Sequence, residues 1–189
     1  MAYEAKNFDH LIGLDGFSET LLKNHFTLYQ GYVKNTNATQ EAIASMLAEG
    51  KTVGPEFVSL KQRLGWEWNG MRLHEFYFEN LKKGESSPIP TDFENMLAEF
   101  KVMAVMRAIG WVIMAWDPIE KQLINVWITE HDTGHLVGCT PLLVLDVFEH
   151  AYMTDHGLKR ADYIEAFMKA IDWEVVTARF STAKKIQII

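Results

Sequence analysis

The sequence predicts an α+β protein: a helical N-terminal part, followed by a C-terminal part in which three short strands precede further helix. Three observations carry this reading. Apolar residues recur with helical spacing in successive segments between Glu19 and Gly110. The segments Trp111 to Trp116, Leu123 to Thr129 and Leu142 to Asp146 are then rich in β-formers, with turn chemistry at Asp117-Pro118 and Asp132-Thr133-Gly134 between them. From Arg160 onward the helical spacing returns through Tyr163, Ile164, Phe167, Met168 and Ile171.

Taken in order, Ser18 is placed to cap a helix that begins near Glu19, whose inner face carries His25, Tyr29 and Tyr32. A second helix is expected from Thr39 to Gly50. A third starts at Pro55, a residue suited to a first helical turn, and reaches about Leu64. A fourth runs from Gly70 to Lys83 with His74, Tyr77, Phe78 and Leu81 on one face. Two serines and two prolines between Glu85 and Pro90 interrupt any period, which places a domain boundary there, between residues 87 and 88. Thr91 and Glu94 have the spacing of a capping box and open a helix toward Gly110. The three strands are expected to form an antiparallel meander, and the last helix to run from Arg160 to about Phe180.

Composition narrows the function classes. With 189 residues, 48% of them hydrophobic, the chain has enough apolar side chain for one compact unit or two closely packed halves. A formal net charge of -7 argues against nucleic acid, which is held by clustered Lys and Arg. The longest apolar run, Trp111 to Trp116, is far shorter than the ~20 residues that cross a bilayer. Cys139 is the only cysteine, and residues 1 to 10 lack the basic and apolar run of a signal peptide, so a cytoplasmic protein is expected.

Seven histidines are present, at 10, 25, 74, 131, 135, 150 and 156. His25, His74 and His150 sit among aromatic and apolar neighbours, where an unpaired imidazole is costly to bury. Asp146 ends the apolar strand Leu142-Leu143-Val144-Leu145, where a lone carboxylate is penalised by several kcal/mol. A cation would remove both penalties. Imidazoles and a carboxylate without thiolate suit iron, manganese or zinc, and residue type alone does not choose among them.

The neighbours of these residues are more specific. The run Leu145-Asp146-Val147-Phe148-Glu149-His150-Ala151-Tyr152 resembles the C-terminal signature of iron/manganese superoxide dismutases, with Phe148 in place of the usual tryptophan. His25, followed by Tyr32-Val33, Asn35 and Asn37, is similar to that family's first ligand helix; His74 with Tyr77-Phe78 and Asn80 to Gly84 is similar to its second. The likeness continues through Gly110-Trp111, Asp162-Tyr163-Ile164, Phe167 and Trp173.

The resemblance implies an N-terminal helical hairpin domain and a C-terminal domain around a three-stranded antiparallel sheet, with one iron or manganese ion per subunit between them. It implies His25, His74, Asp146 and His150 as ligands, and superoxide converted to oxygen and hydrogen peroxide by alternate reduction and oxidation of the ion. A homodimer or homotetramer is expected, with Glu149 reaching across the subunit interface and Trp111 and Tyr152 around the site. A superoxide-dismutase-like scaffold without activity is the alternative.

Two departures from the family pattern matter. The entrance histidine one turn after the first ligand is replaced by Leu28 or Tyr29, and its tyrosine partner from the other subunit by Met153, which leaves Tyr32 as the expected entrance residue. The glutamine that hydrogen-bonds the ion's solvent ligand has no counterpart. Its two customary places hold Gly70 and His131, so His131 is expected to supply the donor.

Overall fold

The computed structural model describes residues 2–186. Helix α1 spans Glu19–Ala48 and α2 spans Pro55–Glu79, each unbroken where the sequence predicts two shorter helices. Ser18 caps α1 as expected, its Oγ accepting from Leu21 N at 3.0 Å. The weak helix formers Asn35, Thr36, Asn37 and Thr39 do not end α1, because Thr36 and Thr39 turn inward and Asn37 pairs with both backbone groups of Tyr3 at 2.8 Å. Tertiary contacts here outweigh local propensity. The connection after Ala48 folds α2 back along α1, setting the ring of His25 5.0 Å from that of His74.

Within α2, Gly65 and Gly70 read as a break because glycine costs a helix about 1 kcal/mol relative to alanine. Gly70 has another task. A Cβ there would lie 2.7 Å from the Tyr32 ring and 3.1 Å from that of His131. The missing side chain lets two residues of the site approach the helix.

No helix or strand is assigned from residue 85 to 90, and helix α3 follows as Thr91–Ala104. The capping box does not form: Thr91 is already helical, Pro90 holds the cap position, and no side chain caps the end. The helix also stops short of Gly110. That glycine, at φ 121°, begins the sheet, where a Cβ would lie 1.9 Å from Ile128 O.

Strands β1 (Trp111–Asp117), β2 (Gln122–Ile128) and β3 (Thr140–Asp146) make an antiparallel sheet in the order β2-β1-β3, which corrects the meander expected from sequence. The centre belongs to β1 because Trp111 to Trp116 is apolar without interruption and buried throughout, as a strand covered on both faces must be. The half-buried β2 takes an edge. Register then sets the site: Trp111 lies opposite Ile128 on one side and Asp146 on the other. The ends of all three strands therefore meet at one place.

After β3, a 3-10 turn at Glu149–Ala151 and the short helix α4 (Met153–His156) lead to α5, Arg160–Ala170. The single last helix expected from sequence is two. Ile171 is extended and bridges to Leu81, Asp172 N donates to Asn80 O at 2.6 Å, and Asp172 caps α6 (Trp173–Ala183) by accepting from Glu174 N. The N-cap aspartate before Trp173 was a legible signal for this break.

Candidate metal centre

Two ligands come from the helical pair and two from the end of the sheet. His25 on α1 and His74 on α2 are buried; Asp146 closes β3, and His150 follows in the 3-10 turn. Their ligand atoms lie within 4.8 Å of one another. Asp146 Oδ2 is 3.1 Å from His150 Nε2, 3.2 Å from His25 Nε2 and 3.6 Å from His74 Nε2. The other carboxylate oxygen, Oδ1, accepts from Phe148 N at 2.9 Å, which fixes the rotation that turns Oδ2 toward the three rings. His74 Nδ1 donates to Gly70 O at 2.6 Å, so its Nε2 carries the lone pair.

The electrostatics are those of a cation site. His25 Nε2 and His74 Nε2 are buried without a hydrogen-bond partner, and each unpaired group costs about 1–3 kcal/mol. Burial pushes His74 well below the ordinary imidazole range, assisted by the neighbouring His25 ring, and pushes His25 down as well. Burial alone would raise the Asp146 carboxyl, but the adjacent His150 and His25 rings hold it well below the usual carboxylate range. His150, the most exposed of the four, is driven down by burial and, more strongly, up by Asp146. Three imidazole rings, those of His25, His74 and His150, converge on one carboxylate and together present three nitrogens and one anionic oxygen. Iron or manganese fits that donor set.

Around these ligands, Trp111 Nε1 donates to His131 Nδ1 at 3.0 Å, and His131 Nε2 lies 2.7 Å from the Tyr32 hydroxyl. The Tyr32 ring stacks on His74 with centroids 5.0 Å apart. Trp66 packs on His131 and Tyr32 from α2. No local pattern in the sequence marks Trp66 as a site residue. Tyr29 takes no part in an entrance: it is fully buried, and its hydroxyl donates to Glu75 Oε1 and accepts from Lys6 N. Leu28, one turn before Tyr32, is half-buried. Met153 is exposed, as is Glu149, while Tyr152 is buried with its ring stacked on Tyr163.

Comparison with known proteins agrees with this geometry. Residues 90–179 match the family model for iron/manganese superoxide dismutases, C-terminal domain. The chain is 36% identical to a protein of Cupriavidus metallidurans named superoxide dismutase [Fe], over 90% of this chain and 91% of the relative. The chain belongs to the iron/manganese superoxide dismutase family. A superoxide dismutase [Fe] of Aquifex pyrophilus is 35% identical over 94% of this chain and 91% of its own length. A superoxide dismutase [Mn] 2 of Halobacterium salinarum is 36% identical over 83% and 82%.

In this member of the family a further pair, Tyr77 and Tyr163, stands behind the ligands. Tyr163 donates to Asp146 O at 2.7 Å, which uses its only proton, so at the 3.1 Å contact between the two hydroxyls Tyr77 is the donor. Both are buried, and together they anchor the backbone of the ligand aspartate from α2 and α5. The Asp-Tyr-Ile run carried Tyr163 as part of the family likeness, but nothing in the sequence paired it with Asp146.

One pH effect follows from the second layer. Burial pushes His131 down to about 4, against about 6.5 for an ordinary histidine. The unfolded chain then takes up the proton more readily. The stability that His131 contributes is complete above about pH 6.5 and is lost as pH falls toward 4, with a slope approaching about 1.4 kcal/mol per pH unit. Urea titrations of the metal-free protein across that window should show a shallower pH dependence for His131→Gln than for wild type. Identical slopes would mean that His131 is not held neutral.

Proposed function

We propose that the chain removes superoxide by dismutation at one iron or manganese ion per subunit, held by His25, His74, Asp146 and His150. The observation that carries this is the convergence of three imidazole nitrogens, two of them buried without a partner, on one oxygen of Asp146. When bound, the ion supplies one-electron oxidation and reduction. Two superoxide anions and two protons then become one oxygen and one hydrogen peroxide.

The chain's own residues orient and proton-couple this exchange. Tyr32 and Leu28 border the approach to the ligands, Trp66 and Trp111 wall it, and His131 donates a hydrogen bond at its inner end. Tyr32 and His131 are the two residues that we assign to catalysis besides the ligands. Metal-reconstituted protein should yield one hydrogen peroxide for every two superoxide anions consumed. A ratio of one to one, with no oxygen released, would mean one-way reduction and would overturn dismutation.

We further propose two units, residues 1–87 and 88–189, each contributing two of the four ligands, and a homodimer or homotetramer in a reducing cytoplasm, the last supported by the single cysteine. His150 keeps 30% of its side chain exposed, and Glu149 beside it is exposed too. A ligand is left partly open where a second subunit would cover it, with Glu149 of one chain reaching His150 of the other. Glu149→Ala should therefore weaken the oligomer in sedimentation and lower metal content together. A fully metallated variant with unchanged sedimentation would contradict the bridge.

A further inference from the structure

The hydrogen-bond chain Trp111–His131–Tyr32 has a direction, and we infer that Trp111 sets it by fixing which ring nitrogen of His131 carries the proton. Only its consequence for catalysis rests on the reading of Tyr32 and His131 given above.

The indole N–H of Trp111 can donate and cannot accept. It points at His131 Nδ1 from 3.0 Å, with both side chains buried. A proton on Nδ1 would set two buried donors against each other and leave both unpaired, so Nδ1 is the acceptor. A neutral imidazole with an accepting Nδ1 carries its proton on Nε2. His131 Nε2 is 2.7 Å from the Tyr32 hydroxyl and donates to it. The Tyr32 oxygen is therefore an acceptor, and the hydroxyl proton is free. No other hydrogen bond of that hydroxyl is found among the described residues. Its ring lies against His74, so the proton is available to an oxygen in the ligand pocket. A small oxygen anion is the chemistry that such a donor serves.

Other contacts hold the chain in this sense. His135 Nε2 lies 2.7 Å from His131 O and donates to it, tying down the loop that carries His131. Gly70 keeps open the space in which the Tyr32 and His131 rings meet. Donation from Nε2 also polarises the Tyr32 hydroxyl and makes it a stronger donor in turn. Without the indole, the Nδ1-protonated form loses its penalty. Nε2 can then accept from Tyr32, and the chain reverses, consuming the proton that faced the pocket. Trp111 is thus a positioning residue that acts through His131.

The test uses the full chain, nitrogen-15 labelled and loaded with zinc, which is diamagnetic in place of iron or manganese, with His131→Gln identifying the His131 signals. Long-range proton–nitrogen spectra of wild type should show a protonated Nε2 and an accepting Nδ1, with a scalar coupling across the hydrogen bond from Trp111 Nε1. Trp111→Phe should abolish the coupling and move His131 to a mixture of the two tautomers. A protonated Nδ1 in wild type, an absent coupling, or a folded Trp111→Phe with an unchanged tautomer would each overturn the inference. The wild-type coupling decides the matter even if the variant does not fold. An unshifted reduction potential in His131→Ala, with the wild-type tautomer as stated, would instead sink the tuning role of His131 and leave this inference standing.

Discussion

Asp146→Ala should lose the metal ion. Oδ2 is the one anionic side-chain donor of the site, placed between 3.1 and 3.6 Å from three imidazole nitrogens. Residues that merely orient a ligand cost 10–100-fold in metal affinity when removed, so deleting the ligand itself should cost more than about 100-fold. The alanine also removes the acceptor for Phe148 N, which turns the chain toward His150. Asp146→Asn separates the two effects: its side-chain oxygen can keep that turn while the charge is gone. Metal analysis after dialysis should find both variants depleted, with the asparagine variant retaining the fold of wild type. Stoichiometric iron or manganese with full activity in either variant would refute the ligand assignment.

His131→Ala should keep the four ligands loaded and raise the reduction potential. In the proposed role, His131 donates from Nε2 to the Tyr32 hydroxyl, and that hydroxyl would in turn donate to the solvent oxygen that a bound ion carries. Donation there favours the more negative, deprotonated solvent that accompanies the oxidised ion, so its loss favours reduction. A hydrogen bond to a charged group is worth roughly 1.5 to 3 kcal/mol. A one-electron couple moves about 59 mV for each tenfold change, or about 1.4 kcal/mol. Tyr32 remains in the variant, so the potential should rise by less than the roughly 60 to 130 mV that loss of the whole hydrogen bond would give, and turnover should fall because both half-reactions must stay favourable. Potentiometry and superoxide kinetics equal to wild type, on fully metallated variant, would reduce His131 to a loop residue.

How far the sequence reaches depends on whether a signal is local. The members of the cluster are legible because each is polar in an apolar setting: His25 and His74 on inward helix faces, Asp146 ending a buried strand. Ser18 and Pro55 announced their helix ends through chemistry confined to one turn. The continuous α1 and α2 were not legible, since Thr36, Asn37 and Gly70 are poor helix formers whose justification lies in partners distant in sequence, among them Tyr3, Tyr32 and His131. The sheet order was missed although its cue was visible: the uninterrupted apolar run of β1 belongs to a central strand. His131 stands out by its place in the family pattern, but its pairing with Trp111 comes from register, which brings the first residue of β1 beside the loop that follows β2. Trp66 has no such cue, because an aromatic on a helix face reads the same whether it packs a core or walls a site.

The most direct test of the account is superoxide removal measured against bound metal. The metal-free protein would be titrated with iron or manganese, and the rate of superoxide loss followed as occupancy increases. The rate should rise in proportion to bound ion and level off at one ion per chain, with Asp146→Asn giving no rise. A chain that binds one ion at these residues and leaves the rate at the uncatalysed value would contradict it, as would activity that does not depend on metal.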